Sequence, residues 1–288
     1  MRKLVALLIA LPAVLALSEA VAFFVHNRTN ATIGGRDYLL YVPRNYSASK
    51  PVPLVISMHG AGGWPVQQME MSGWNRLADK EGFIVAYPAA AADGGRRVWR
   101  RTDARSIADL IDGIESAYNI DRRRLYANGL SNGGGMAFVL SCRLTDRIAA
   151  VGTVAAAQTF PLSTCSDSRP VPVIIFHGTA DPVVPYNGGE SWISPRPFPS
   201  VPLWAERWAR RNHCTSRVES KVARDVTLRE YDGCAGDATV AFYTIRGGGH
   251  VWFGGEALPQ FLVGPPSNSI DATSVMWQFF RAHPLRTP

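Results

Sequence analysis

The stretch that decides the fold is "YANGLSNGGGM", residues 126–136, in which one serine stands among four glycines. Residues Gly129–Gly133 form a G-x-S-x-G pattern. Glycine loses more conformational freedom on folding than any other residue, so this density indicates a place where side chains would clash. The pattern is typical of a nucleophile elbow, a tight strand-to-helix turn that presents Ser131. A glycine-rich turn that merely contains a serine is the alternative, and the flanking sequence has to decide between them.

The flanking sequence alternates between strand and helix patterns. A strand that begins at "RRLY" runs directly into Ser131, and "GGMAFVLSCRL" (134–144) reads as the helix after it. Ser106 is a plausible N-cap for one further helix, and Asp271 for the last. This alternation predicts an α/β fold with an open, mostly parallel sheet and helices on both faces. Further strands are predicted at 37–43, 53–60, 82–88, 149–157 and 171–178, in "TLREYDG" and in "VAFYTI", and further helices at 69–80, 106–118, 202–211 and 272–280.

Length and composition favour one globular domain. The chain has 288 residues, of which 47% are hydrophobic and 18% charged, enough for a large buried core. Neither a Pro/Ser linker nor a repeat interrupts it, so we expect a single catalytic domain over residues 23–288. The net charge of +7 fits a solvated basic surface, since nothing in the sequence resembles a nucleic-acid-binding module.

The first 22 residues have the composition of a secretory signal peptide. A basic start at residues 1–3 precedes the uncharged apolar run "LVALLIALPAVLAL" (4–17), and "AVA" at 20–22 fits a cleavage site. A retained membrane anchor is the alternative, although the run is short for a span and Glu19 interrupts it. We therefore expect an extracellular or periplasmic protein without a stable membrane anchor. N-glycosylation sequons occur at Asn27, Asn30 and Asn45.

The cysteine count fits such an export route. Four cysteines in an exported chain predict two disulfides. Local loops of similar size favour the pairs Cys142–Cys165 and Cys214–Cys234 over the other two connectivities. The sequence contains neither C-x-x-C nor H-E-x-x-H, so we expect no metal site.

A serine hydroxyl needs a base and an acid to become a nucleophile. In this class of fold the partners follow in the order Ser, Asp or Glu, then His. His250 ends the glycine-rich loop "IRGGGH" after a predicted strand, whereas His177 comes too early in the chain to follow an acid. Asp181 lies on the loop after "VIIFHG", and Glu190 is a weaker rival in that loop. We expect Ser131, Asp181 and His250 to be the catalytic residues.

Two further roles follow from position. The backbone N–H of Asn132, directly after the serine, is expected to be one oxyanion-hole donor. The other is expected from the loop "HGAGG" (59–63), with Ala61 preferred and Gly62 next. Trp252, two residues after His250, is expected to bind substrate as a wall of the pocket, with a core tryptophan as the alternative.

Four stretches carry a resemblance to a known family. "SMHGAGG", "YANGLSNGGGM", "FHGTADPVVPYNGG" and "GGGHVWFGG" resemble the secreted esterases that include poly(3-hydroxybutyrate) depolymerases and feruloyl esterases. The resemblance runs from about residue 34 to about 284, and it implies an α/β-hydrolase fold, extracellular ester cleavage and no cofactor. The family's nucleophile, acid and base fall on Ser131, Asp181 and His250. Two residues depart from the pattern: Ala61 replaces a glycine, and Phe253 replaces a proline beside the expected substrate edge.

These observations predict a secreted serine carboxylesterase that works through an acyl-enzyme. The expected substrate is a hydroxyalkanoate ester or a feruloyl or aryl ester, such as a polyester oligomer or a feruloylated saccharide. The sequence shows no linker to a second, polymer-binding domain, which favours small or side-chain esters or soluble oligomers. The alternatives are a serine peptidase on the same fold, and a catalytically dead hydrolase fold that binds polymer or carbohydrate. A complete set of three catalytic residues argues against the dead fold.

Overall fold

A ten-stranded sheet forms the centre of the molecule. The computed structural model describes residues 28–33, 36–161, 165, 169–256 and 259–286, and the expected signal peptide lies outside them. The strand order is β1-β2-β4-β3-β7-β8-β9-β14-β13-β12. The six strands from β4 to β14 in this order are parallel, and two antiparallel strands flank them at each edge. The expectation of a mostly parallel sheet is therefore confirmed.

The strands follow the apolar runs of the sequence. The sheet consists of β1 (Arg28–Ile33), β2 (Arg36–Tyr41), β3 (Val52–Met58), β4 (Ile84–Pro88), β7 (Ile120–Leu130), β8 (Ala150–Val154), β9 (Val173–Gly178), β12 (Ser216–Ala223), β13 (Val226–Asp232) and β14 (Val240–Ile245). Two short hairpins lie outside it, β5 (Ala92–Asp93) with β6 (Arg96–Arg97), and β10 (Gly189–Ser191) with β11 (Ser194–Phe198).

Helices cover both faces of the sheet. They are α1 (Pro65–Ser72), α2 (Trp74–Glu81), α3 (Asp103–Ala117), α4 (Asn132–Arg143), α5 (Val201–Arg211), α6 (Gln260–Val263) and α7 (Ala272–Ala282). Alternate strand residues belong to two cores, with Leu54 and Ile56 in one and Val55 in the other. The first core contains residues of α3, α4 and α5, and the second contains residues of α1, α2 and α7. Burial on both faces explains why the central strands are continuous apolar runs.

Two helix boundaries differ from the sequence prediction. The helix expected at 69–80 is divided into α1 and α2 at Gly73, whose φ of 65° is left-handed and ends α1. The expected N-cap Ser106 is wrong, because α3 begins earlier, at Asp103. The Asp103 carboxylate accepts a hydrogen bond from the backbone N–H of Arg100 at 2.8 Å and pairs with the Arg36 guanidinium.

Two disulfides fasten helices to neighbouring segments. Cys142, near the end of α4, is bonded to Cys165, and Cys214, just after α5, is bonded to Cys234. This is the local pairing that the sequence predicts. Within the described residues, no helix is long and apolar enough to cross a membrane.

Loss of the Cys142–Cys165 bridge is expected to lower stability. The bridge joins residues 23 apart, and closing a loop of this size stabilises by about 3 kcal/mol in the chain-entropy model. We expect the variant Cys142→Ala/Cys165→Ala to lose about that free energy of unfolding, measured by urea denaturation without reductant. The matched control Cys214→Ala/Cys234→Ala removes a bridge between residues 20 apart and is expected to lose a similar amount. Wild-type stability in both variants would contradict the prediction.

Candidate active site

Ser131 stands at a strained turn between β7 and α4. Its backbone has φ 52° and ψ −118°, and its N–H donates to the Val154 carbonyl at 2.9 Å. A Cβ on Gly129 would lie 2.6 Å from the carbonyl oxygen of Gly133, and one on Gly133 would lie 2.6 Å from that of His59. Such distances exclude a side chain at either position. The glycines are therefore required because strand and helix approach each other directly behind the serine.

Ser131 and His250 line the same cleft, which has a volume of about 260 Å³. One wall is the loop 59–63 after β3, and another is α1, through Gln67, Gln68 and Met71. A third wall is apolar and consists of Val183, Trp192, Ile193, Leu262 and Val263, and the exposed Arg96 also lines the cleft. We call this space the catalytic cleft. It brings together residues from the ends of β3, β7, β9 and β14, where open α/β sheets hold their sites.

His250 is held by a buried carboxylate. Its Nδ1 lies 2.8 Å from Oδ2 of Asp181, and both residues are buried. The other carboxylate oxygen accepts hydrogen bonds from the backbone N–H groups of Val183 and Val184, each at 2.8 Å. Burial raises the pKa of Asp181, but hydrogen bonds from His177 and His250 outweigh it and hold this pKa well below its usual range. Asp181 is therefore ionised, and His250 donates from Nδ1 to it.

A second histidine contacts the same carboxylate. His177 is fully buried, and its Nε2 lies 2.9 Å from the carbonyl oxygen of Val184 and 3.3 Å from Oδ2 of Asp181. Since both neighbours are acceptors, Nε2 carries the proton. In the described part of the chain, its buried Nδ1 has no hydrogen-bond partner. His177 is thus a fourth donor to Asp181.

The loop 59–63 lines the cleft, and its backbone N–H groups differ in whether they are already hydrogen-bonded. The N–H of Gly62 donates to the Arg97 carbonyl at 2.7 Å, so Gly62, the second choice from the sequence, is already occupied. Ala61 lines the cleft, and no hydrogen bond among the described residues uses its N–H. Asn132 is the first residue of α4, where backbone N–H groups lack intrahelical partners. Ala61 therefore lines the same cleft as Ser131, and Asn132 follows Ser131 directly in the chain.

His59 fixes the peptide that carries the Ala61 N–H. Its Nε2 accepts from the backbone N–H of Ala90 at 3.1 Å, so Nδ1 is the protonated nitrogen, and it donates to the carbonyl of Gly60 at 2.7 Å. That carbonyl belongs to the same peptide unit as the N–H of Ala61. Burial, with a smaller contribution from the charge of Arg97, lowers the pKa of His59 to about 4 against the raising effect of the Gly60 bond. His59 is therefore neutral at pH 7.

The side chain of Asn132 holds a second loop against the cleft. Its Oδ1 accepts from the backbone N–H of Trp99 at 2.6 Å, and its Nδ2 donates to the Trp99 carbonyl at 3.3 Å. The indole of Trp99 in turn donates to the carbonyl of His59 at 2.9 Å. These bonds tie the start of α4, the loop after β3 and the segment after β6 into one rigid unit.

Three residues singled out from the sequence lie elsewhere. Trp252 is not a wall of the catalytic cleft: it is 1% exposed and its Nε1 donates to Oγ1 of Thr273 on α7 at 2.8 Å. Phe253 is also fully buried, so its departure from the family pattern is not at a substrate edge. Glu190, the rival acid, is exposed on β10, and His250 contacts Asp181 instead.

Sequence reasoning also missed residues that the site contains. His177 lies four residues before Asp181, and His59 is the first residue of the loop 59–63, so their positions in the motifs were a usable signal. Trp192 and Leu262 line the cleft from the β10–β11 hairpin and from α6. Neither segment has a strong periodic pattern, so nothing in the sequence indicates that they reach the site.

The neutral state of His59 predicts a pH-dependent stability. The unfolded chain has an ordinary histidine pKa near 6.5, and the folded protein has about 4. Below about pH 6.5 the unfolded state therefore binds a proton that the folded state does not, so stability is complete above that pH and is lost as pH falls toward 4. We expect His59 to account for a loss of roughly 2–3 kcal/mol between pH 7 and pH 4.5.

Urea denaturation at both pH values measures this loss. The variant His59→Gln cannot titrate, so its free energy of unfolding is expected to change less over this range than that of the wild type. Other titrating groups are common to both proteins and cancel in the difference. Equal pH dependence in the two proteins would refute a neutral, buried His59.

Comparisons with known proteins identify the family of this chain. A family model described as "Esterase PHB depolymerase" matches residues 36–184, more than half of the chain. Feruloyl esterase B of Piromyces equi is 32% identical over 228 residues, which cover 75% of this chain and 42% of that protein. The chain thus spans less than half the length of this relative.

Two further comparisons extend over most of the chain. A probable feruloyl esterase C of Aspergillus flavus is 29% identical over 262 residues, covering 87% of this chain and 85% of that protein. The solved acetyl xylan esterase from Aspergillus awamori has a TM-score of 0.61 at 17% identity, covering 85% of this chain and 93% of that one. The structural likeness confirms the α/β-hydrolase fold. With the family model and the sequence relatives, it leads to one conclusion: this chain is a member of the esterase family that contains the poly(3-hydroxybutyrate) depolymerases.

Proposed function

We propose that the chain is an exported serine carboxylesterase with Ser131 as nucleophile, His250 as base and Asp181 as the orienting acid. One observation carries the proposal: Ser131 lies at the elbow in the same cleft as His250, whose Nδ1 is 2.8 Å from the buried Asp181. A base oriented by a third group is the arrangement that activates a serine hydroxyl. The family membership supports the same reaction class.

The proposed reaction begins with attack of the Ser131 hydroxyl on the ester carbonyl. His250 takes the hydroxyl proton on Nε2, because its Nδ1 faces Asp181. The negative charge that develops on the carbonyl oxygen is met by the N–H groups of Ala61 and Asn132. His250 then gives the proton to the leaving alcohol, which leaves an acyl group on Ser131. Water, activated by the same histidine, attacks the acyl group and frees the acid and Ser131.

Asp181 contributes electrostatically as well as by orientation. Its carboxylate is ionised and buried, so its charge acts on His250 with little screening by water. The charge favours the protonated imidazole that forms when Ser131 attacks. The two oxygens of the Asp181 carboxylate have different partners. The N–H groups of Val183 and Val184 donate to Oδ1, so Oδ2 is oriented toward His250.

The substrate class follows from the cleft and the relatives. The apolar wall that includes Trp192, Ile193 and Leu262 fits an aryl or hydroxyalkanoate acyl group better than a charged one. The similar proteins include feruloyl esterases and an acetyl xylan esterase. Two disulfides fit an oxidising compartment, so we place the mature enzyme outside the cytoplasm, in the medium or the periplasm.

Substitution of each catalytic residue tests the mechanism. We expect Ser131→Ala, His250→Ala and Asp181→Asn each to lower kcat by about 10³-fold or more, because residues that act as a unit fail together. Rates are measured with p-nitrophenyl butyrate and methyl ferulate. Ser141→Ala is the matched control. Ser141 lies in α4, the helix that follows Ser131, and its hydroxyl donates within that helix to the Phe138 carbonyl.

The same experiment separates the other readings of the fold. A fluorophosphonate probe is expected to label the wild type and not the Ser131→Ala variant. Turnover of peptide substrates without turnover of esters would instead indicate a peptidase. Absence of labelling together with absence of turnover would indicate a fold that only binds its ligand.

His177 is expected to act as a positioning residue through Asp181. His177→Leu removes one donor to the carboxylate, whereas His177→Gln places an amide N–H near the position of Nε2. A hydrogen bond to a charged group contributes about 1.5–3 kcal/mol, so kcat is expected to fall at least roughly tenfold in the leucine variant. KM is expected to stay close to the wild-type value, and the glutamine variant to recover part of kcat. Equal losses in both variants would assign His177 to packing alone.

A further inference from the structure

A second cavity lies next to the catalytic cleft. This groove has a volume of about 560 Å³ and combines aromatic and polar side chains. Its exposed aromatic residue is Trp64, which is 54% exposed. The guanidinium of Arg97 lies 4.2 Å from the centroid of the Trp64 ring and covers one face of it. Asn30, Thr32 and Asp37 add polar groups, and Val66 adds apolar surface that is 40% exposed.

The groove and the catalytic cleft share one thin wall. Gly62 and Gly63 line the cleft, and the next residue, Trp64, lines the groove. On the facing hairpin, Arg96 lines the cleft and Arg97 lines the groove. The hydrogen bond from the Gly62 N–H to the Arg97 carbonyl joins the two halves of this wall at 2.7 Å. The lining of the cleft and the lining of the groove are therefore consecutive residues in both segments, Gly63 and Trp64 in one and Arg96 and Arg97 in the other. A ligand bound in the cleft would extend across these residues into the groove.

The chemistry of the groove differs from that of the cleft wall formed by Trp192 and Leu262. A half-exposed tryptophan such as Trp64 suits a ring that presents C–H groups, because its π-face is partly negative. The carboxylate of Asp37 accepts a hydrogen bond from Thr32 at 2.9 Å and, as an ionised carboxylate, has further acceptor sites. The partly exposed guanidinium of Arg97 donates to the Ala90 carbonyl at 2.9 Å, and its further N–H groups are donors at the edge of the groove. A sugar ring has these features: it presents a C–H face, and its hydroxyl groups both donate and accept hydrogen bonds.

The alternative alcohol component fits less well. A polyhydroxybutyrate chain carries carbonyl and methyl groups along its length and has a hydroxyl donor only at its end. It offers nothing to the Asp37 carboxylate, and burying that charge without a donor is unfavourable. We propose that the groove is a saccharide subsite, and that the enzyme acts on esters whose alcohol component is a sugar residue of an oligosaccharide. This inference rests on the proposed esterase function and narrows its substrate class.

Two esters with the same acyl group test the subsite. Methyl ferulate occupies the cleft alone, whereas a feruloylated oligosaccharide also extends toward the groove. We expect Trp64→Ala to lower the ratio of kcat/KM for the oligosaccharide ester to that for methyl ferulate roughly tenfold, mainly through KM. Trp64→Phe keeps an aromatic face and is expected to retain most of the ratio.

Control variants separate the two sides of the site. Trp192→Ala alters the apolar wall of the cleft, so we expect it to affect both esters and to leave their ratio near the wild-type value. Val218→Ala changes an exposed apolar residue on the edge strand β12 and is expected to change neither rate. A ratio that is the same in Trp64→Ala and wild type overturns the proposal, as does an equal loss with hydroxybutyrate oligomers.

Binding of an unesterified oligosaccharide keeps this test separate from the test of catalysis. Titration calorimetry with Ser131→Ala measures saccharide binding whether or not Ser131 is the nucleophile. We expect binding that is lost in Ser131→Ala/Trp64→Ala. If the wild type hydrolyses no ester but this difference is found, the proposed function fails and the saccharide subsite stands. If esters are hydrolysed and no binding difference is found, together with an unchanged ratio, the subsite fails and the esterase function stands.

Discussion

The close approach of α4 to the end of β3 is the constraint on which the rest of the site depends. Gly133 at the start of the helix lies against the carbonyl groups of Met58 and His59, with no room for a Cβ. This approach forces Ser131 into its left-handed backbone conformation between strand and helix. It also places the loop of Ala61 beside the first N–H groups of α4. One close packing contact therefore sets the positions of the proposed nucleophile and of both proposed oxyanion donors.

The hydrogen bonds around this contact make the arrangement rigid. His59 is held by Ala90 on one ring nitrogen and holds the Gly60 carbonyl with the other. Trp99 links the carbonyl of His59 to the side chain of Asn132. None of these groups has to move when charge develops in the cleft. Donors that are already oriented stabilise a developing oxyanion more than donors that must first reorganise. The neutral state of His59 matters here, because a protonated ring would no longer accept from Ala90.

The sequence predicted what is local and missed what depends on tertiary contact. The elbow was predictable because glycine spacing records a steric demand, and Asp181 and His250 because each follows a strand of the parallel sheet. Trp252 was misjudged because two residues after His250 the chain has already turned into the core, where Thr273 on α7 receives its N–H. Ser106 was misjudged because Asp103, one turn earlier, has a carboxylate that accepts from the Arg100 N–H. Trp192 was not identified because only the fold brings the β10–β11 hairpin to the cleft.

The cleft and the proposed saccharide subsite differ in their polar groups, and this difference would let the enzyme distinguish the two halves of an ester. The carboxylate of the catalytic cleft is buried: Asp181 is covered by His250, His177 and two backbone donors. The third wall of the cleft is apolar, so an acyl group bound there gains mainly from burial. The groove instead keeps Asp37 and Arg97 at its surface, next to a half-open tryptophan. A ligand in this groove is favoured if it both donates and accepts hydrogen bonds, so under the proposal the alcohol component, rather than the acyl group, meets the more selective chemistry.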